Sequence, residues 1–181
     1  MNGGLDLIGT RGCEQTTMTA VCAHVGLTER YFYESFASRD ALLLAVVDEV
    51  ADQARDAVLE SLRVTEGDAF ARAHAAIAVF AALLTDDPRK GRTAIVESSA
   101  LPALRQRRQE LFRTFAALVV TQAQALFEDS ALSPPEDEVG ALLLVGGFGE
   151  LLTAWLQGET SASVADIVGV VTRWFAAGMH T

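Results

Sequence analysis

An all-α fold is predicted by three observations. Half of the 181 residues are hydrophobic and only four are proline. Apolar residues recur at intervals of three and four through most of the chain, as a helix with one buried face requires. Period-two runs of β-branched residues, the mark of half-buried strands, are absent. The length allows one large domain or two small ones with a substantial core. The expected organisation is a three-helix N-terminal unit over residues 1–45 that contains a helix-turn-helix, followed by a helical bundle over residues 46–181.

The opening helix is short: Leu5, Leu7 and Ile8 end a helix that Gly9 or Gly12 closes. The next stretch, Thr16 to Phe36 (TTMTAVCAHVGLTERYFYESF), reads as two short helices joined by a tight turn. The Thr16 and Thr17 hydroxyls can accept from the free N–H groups that open a helix, here from about Met18 to His24. Val21, Cys22 and Val25 supply its apolar contacts. Gly26 sits where a chain leaving a helix needs positive φ, which glycine reaches without steric cost. Leu27 is an apolar plug, and Thr28 caps a second helix beginning at Glu29. Two helices across such a turn form the helix-turn-helix, whose second helix enters the DNA major groove.

From Ser38, a capping residue, a longer helix carries the stripe Leu42, Val46, Val50 and Ala54, with Leu43, Val47 and Ala51 beside it. Thr65 to Asp68 opens the next helix, which places Phe70, Ala73, His74, Ile77, Phe80, Ala81 and Leu84 on one face and stops before Asp86-Asp87-Pro88. Arg89 to Arg92 reads as a solvated basic connector. A short helix around Thr93 to Ala100 precedes a long one from Pro102 to about Phe127. Its inward face holds Leu104, Leu111, Phe112, Phe115, Leu118, Val119 and Leu126, with Arg105, Arg107 and Arg108 as surface charges. Ser133-Pro134-Pro135-Glu136 combines a capping serine, proline at the first helical position and glutamate three residues on. The helix it starts, from about Pro135 to Gln157, is apolar nearly all round and ends at Gly158. Ser163 and Asp166 cap a last helix with the stripe Val164, Ile167, Val168, Val171, Trp174 and Phe175. These two helices carry more apolar surface than one chain can cover, and a two-fold dimer would bury it in a four-helix bundle.

The N-terminal part resembles the TetR family of transcriptional regulators. The resemblance rests on Gly12, Thr16-Thr17, Val21 to Ala23, Val25-Gly26-Leu27-Thr28, Phe32-Tyr33, Phe36 and the run Ser38-Arg39-Asp40-Ala41-Leu42-Leu43. The family's longer first helix and its basic arm have no counterpart in Met1 to Gly4. The resemblance implies a ligand-responsive regulator, usually a repressor, that binds a near-palindromic double-stranded DNA operator as a homodimer. A small-molecule effector, apolar by default, releases it. Phosphate or backbone contacts fall to Thr17, Thr28, Tyr33 and Arg39, and base edges to Arg30 and Tyr31; Glu29 can accept from cytosine N4. Half-sites lie about 34–36 Å apart or at a multiple of that spacing. Residues 46–181 then form the ligand-binding and dimerisation domain. Its interface candidates are Leu142, Phe148, Leu151, Leu152, Trp155, Ile167, Val171 and Trp174. Its pocket candidates are His74, Ile77, Phe80, Glu97, Phe112, Phe115, Phe148 and Trp155, with Ser98 and Gln122 as further polar groups.

Charge and composition narrow the alternatives. The net charge is −10, and residues 1–50 hold seven acids against three arginines. A DNA reader gains affinity by displacing counterions with Lys and Arg. This chain is therefore expected to rely on helix N-termini and hydroxyls at phosphates, with a shallow salt dependence. His24, His74 and His180 with Cys13 and Cys22 show no metal-ligand spacing, and Gly146-Gly147-x-Gly149 lies inside a helix. No metal, cofactor or enzymatic reaction is expected. No apolar run reaches the ~18 residues that span a bilayer. The N-terminus lacks a secretion signal, and two cysteines suit a reducing cytoplasm. Two other readings stay open: a helical dimer of the same fold that binds a ligand or protein without DNA, and a redox sensor acting through Cys13 and Cys22.

Overall fold

Capping side chains fix where most helices begin in the structure, a computed structural model that describes residues 1–128 and 131–178. Thr17 Oγ1 accepts from the Ala20 N–H at 3.1 Å and opens α2 (Met18–Val25). Ser38 does the same for Ala41 at α4 (Arg39–Val64), and Asp68 for Ala71 at α5 (Ala69–Thr85). At α9 (Val164–Gly178), Ser163 and Asp166 bond each other's backbone N–H reciprocally, which satisfies two of the free donors at the helix start. The first helix, α1 (Asn2–Arg11), begins three residues before Leu5 and closes on Gly12 at φ 83. Gly26 ends α2 at φ 68 in the left-handed region, where a side chain would be strained.

Other starts differ from expectation. Thr28 has cap backbone angles before α3 (Glu29–Ser35), but its side chain makes no capping bond. Ser133 receives the Glu136 and Asp137 N–H groups on its carbonyl, so α8 begins at Glu136 (Glu136–Leu156) without a hydroxyl cap. Arg89 to Arg92 is no solvated connector. It belongs to α6 (Pro88–Gly91) and to a π-helical turn, Arg92–Val96, that runs on into a 3₁₀ turn, Glu97–Ser99. α7 (Pro102–Phe127) follows.

Three apolar cores knit these helices together. The first joins Leu7 and Ile8 of α1, Val21 of α2, Phe32 of α3 and Leu42, Leu43 and Val46 of α4, with Leu104 of α7 closing it. The second gathers Val50, Ala81, Leu84, Ile95, Phe148, Leu152, Ile167, Val168 and Val171. The third, mostly alanine, brings Ala73, Ala116, Ala123 and Ala141 against Phe175. Val46 and Val50 lie one turn apart on α4 yet serve different cores, so this helix runs through both halves of the molecule. A second fastening joins α1 to α6: Arg89 pairs with Asp6 and Asp87, and a Cβ on Gly9 would meet the Arg89 Cβ at 2.5 Å. Only glycine permits that approach.

At the turn, Leu27 is exposed rather than an apolar plug, and Val25, 42% exposed, still lies against Gly3 of α1. By length and composition α8 is one helix that could cross a bilayer, although its uncharged run, residues 139–149, is interrupted by Glu150. Here it is a bundle helix, packed on α7 and α9, with Ala141 and Leu152 fully buried.

Candidate nucleic-acid interface and effector cavity

The helix-turn-helix unit presents α3 outward. Arg30, Tyr31 and Tyr33 are exposed, while Phe32 points into the first core and Phe36 packs against it. Phe32 and Phe36 stand 5.7 Å apart, and Phe32 meets Tyr33 edge-on at the same distance. The Arg30 side chain is 86% exposed and pairs with Glu34 one turn on, Nε to Oε1 at 3.1 Å. Such exposed i,i+4 pairs contribute only ~0.3–0.5 kcal/mol, so the guanidinium can exchange this partner for another. Glu29 accepts a long bond from Thr19 Oγ1, 3.4 Å, which ties α3 to α2. Thr17 and Thr28 stand exposed at the starts of α2 and α3.

Arg39 is the exception among the candidate DNA contacts. Its Nε donates to the Thr16 carbonyl at 2.8 Å and its Nη2 to the Cys13 carbonyl. The guanidinium is therefore engaged inside the unit, holding the α1–α2 loop onto α4. The same loop is gripped from the other side by Glu97, whose carboxylate accepts the Cys13 N–H at 2.7 Å. The Cys13 thiol faces the Glu97 carbonyl at 3.8 Å. Burial, reinforced by the Glu97 charge, pushes that thiol up from 9.0 to about 12, with Arg39 opposing. Cys13 thus stays protonated at neutral pH and Cys22 is also buried, which removes the physical basis for a thiol redox sensor.

The bundle encloses a cavity of about 150 Å³, roughly ten times the space one water needs. It lies between α4, α5, α7 and α8. Its walls include Ile77, Phe80, Phe112, Phe115 and Phe148, all of them sequence candidates, and Gln122. Phe80 contacts Phe115 and Phe148 at ring separations of 5.4 and 5.5 Å, forming an aromatic end. The other candidates lie elsewhere. His74 is exposed on α5, bonded to Thr172 Oγ1 at 3.2 Å and stacked on Phe70. Because the Thr172 hydroxyl already donates to the Val168 carbonyl, His74 Nδ1 carries the proton there. Glu97 and Ser98 turn toward the α1–α2 loop and their own helix, and Trp155 packs on the second core.

Among the wall residues that the sequence candidates do not include, one carries a charge. Arg108, expected as a surface charge, lines the cavity with its Cζ 4.4 Å from the Phe112 ring centre. The signal was present in the spacing: Leu104, Arg108 and Phe112 follow at intervals of four, one inward row of α7. Arg107 stays at the surface and pairs with Asp48 of α4 at 2.6 Å.

The interface candidates divide in two. Phe148, Leu152, Ile167 and Val171 are buried within their own subunit and Trp155 is partly so, because they occupy the inner faces of α8 and α9. Leu142, Leu151 and Trp174 are exposed, joined by Val139, Leu143 and Val170. Gly146 and Gly147 on the same outer face of α8 have nothing within 4 Å of a built Cβ. Among the described residues, no three His, Cys, Asp or Glu side chains converge as a metal site needs. His180 lies outside the described residues.

A helix-turn-helix with an outward second helix is thus fixed to a bundle that holds an apolar cavity. Residues 1–46 match the family model described as bacterial regulatory proteins, tetR family, so the N-terminal unit is similar to that family's. The whole chain shares the fold of solved structures. It superposes on the fatty acid degradation regulator FadR of Bacillus halodurans with a TM-score of 0.81 at 13% identity, over 99% of this chain and 94% of that one. FadR of Bacillus subtilis, in complex with stearoyl-CoA, gives 0.80 at 14% identity, with 99% and 97% covered. A putative TetR-family regulator from a Rhodococcus species gives 0.79 at 19%, with 98% and 95% covered. No curated protein sequence matches the chain.

Proposed function

We propose that the chain is a ligand-responsive regulator, a repressor in mode, that binds a near-palindromic operator in cytoplasmic DNA as a homodimer. Residues 1–45 read DNA, with Thr17, Thr28 and Tyr33 on the backbone and Arg30, Tyr31 and Glu29 toward the bases. Arg39 acts there as a positioning residue rather than a phosphate contact. Residues 46–181 bind the effector and the second subunit. The observation that carries this reading is the outward face of α3, held to the cavity-bearing bundle by both α4 and the α1–α6 contact. The stearoyl-CoA held by the Bacillus subtilis neighbour supports an effector with a long apolar chain.

Coupling between the two halves runs through the π-helical turn. Ile95 lies in the cavity wall, and two residues later Glu97 holds the Cys13 N–H. A π turn inserted in helical structure is a frequent mark of functional sites. An effector that fits the cavity better with this turn displaced shifts the α1–α2 loop, and with it α3, in proportion to its differential affinity for the two arrangements.

Gel shifts on fragments selected from the protein's own genome test the reading. Arg30→Ala should weaken binding by ~1–3 kcal/mol and relax one base position. Unchanged affinity together with unchanged base preference counts against Arg30 as a reader. The seven acids against three arginines in residues 1–50 favour a second reading, a DNA-free helical dimer. Failure to retain any genomic fragment would select it.

A further inference from the structure

Arg108 is an unusual group to find in this cavity. Of the described residues that line it, Arg108 carries the one charge, among Phe80, Phe112, Phe115, Leu118 and some twenty other mostly apolar neighbours. Its Nε is buried without a hydrogen-bond partner. Its Nη2 reaches out past the wall to Glu150 Oε1 at 2.9 Å, and that glutamate is 69% exposed. The guanidinium therefore spans the boundary, with its Nη2 in an exchangeable surface pair and the neighbouring Nε buried and idle. A buried donor on a charged group that lacks a partner is costly, and a guanidinium presents paired N–H groups matched to a carboxylate.

We infer that the effector is an amphiphilic anion, an alkyl-chain carboxylate whose acid group pairs with the buried edge of Arg108 while its chain lies along Phe80, Phe115 and Phe148. The inference rests on the apolar-effector reading above and adds the head group to it. The bound carboxylate competes with Glu150 for one guanidinium. Occupancy thus loosens the Arg108–Glu150 pair that ties α7 to α8, the helix whose outer face is proposed to meet the second subunit. Gln122, one helical stretch further along α7, is the other polar group on the wall and does not supply charge.

Titration calorimetry of the full chain without DNA, using decanoate, decanol and decylamine at neutral pH below their aggregation concentrations, isolates the head group on one tail. Decanoate should bind at least about tenfold tighter than decanol, with decylamine weakest. Arg108→Gln should remove that preference while leaving decanol affinity within about threefold, which shows that the apolar cavity is intact. Glu150→Gln, at an exposed position, should tighten decanoate and leave decanol unchanged. Equal binding of decanoate and decanol, or a preference that survives Arg108→Gln, overturns the carboxylate assignment alone. If none of the three binds the wild-type chain, the apolar-effector reading falls with it.

Discussion

Cys13 shows how a single residue can be read two ways from sequence and one way in space. Its thiol is buried and sits against Glu97, so the folded state holds it protonated up to about pH 12, against 9.0 for an ordinary thiol. A raised pKa contributes stability that is fully present below the unfolded value and lost as pH climbs toward the folded one. Wild-type protein should therefore lose stability between pH 9 and 12 more steeply than Cys13→Ala, measured by urea unfolding at fixed temperature. Parallel slopes for the two proteins would show that the thiol ionises equally in both states. The Cys13 N–H bond to Glu97 gives a companion test: Glu97→Ala removes the acceptor and should cost ~1–3 kcal/mol, whereas Glu97→Gln retains an acceptor oxygen and should cost less. Neither role is visible in the sequence, since Cys13 and Glu97 lie 84 positions apart and no local pattern announces the contact.

Helices were legible where their signals are local. Thr17, Ser38, Asp68 and Ser163 cap the helices that their types announce, because a side-chain oxygen one turn from free N–H groups needs nothing from the rest of the fold. Faces were less legible. α8 is apolar nearly all round, so periodicity could not say which side turns inward, and Leu152 and Leu143 looked alike; one is fully buried and the other 72% exposed. The places of Arg108 and Arg39 are hidden in the sequence for a related reason. Long cationic side chains reach inward partners that only tertiary structure supplies. The π-helical turn is hidden too, because it packs on α1, α4 and α8, which are distant in sequence. Gly9 resembles a helix end in sequence, while its part in the fold is the close pass of α1 over α6. Gly9→Ala drives a methyl into Arg89, including its backbone Cα at 2.6 Å. Overpacking of that kind costs about 1–3 kcal/mol. The loss should appear as a lower thermal midpoint together with faster proteolysis near α1; an unchanged midpoint would mean that α1 docks by another route.

At the scale of the whole molecule, the outer faces of α8 and α9 decide between one chain and two. Val139, Leu143, Gly147 and Leu151 follow at intervals of four along α8, and Val170 and Trp174 do so on α9. Each interval of four returns to one side of the helix, so these residues make a continuous apolar strip with glycine at its middle, where a second backbone can come close. Trp174 is 73% exposed, and an aromatic of that size commonly anchors an interface. If two copies meet here about a dyad, each substitution enters twice. Leu143→Glu, at ~2 kcal/mol per copy, should then raise the dimer dissociation constant by roughly 10³. The isolated subunit should keep its unfolding midpoint, because Leu143 contributes little to its own core. Leu152→Glu makes the control, since that residue is fully buried in its subunit and its loss should unfold the chain rather than divide the pair. Sedimentation velocity across a concentration series separates the cases. A Leu143→Glu protein that sediments as wild type at every concentration would place the second subunit elsewhere. One that sediments as a folded monomer should bind the intact operator far more weakly than wild type does, and little better than a single half-site, because two recognition helices spaced about 34–36 Å apart act together only while the bundle joins them.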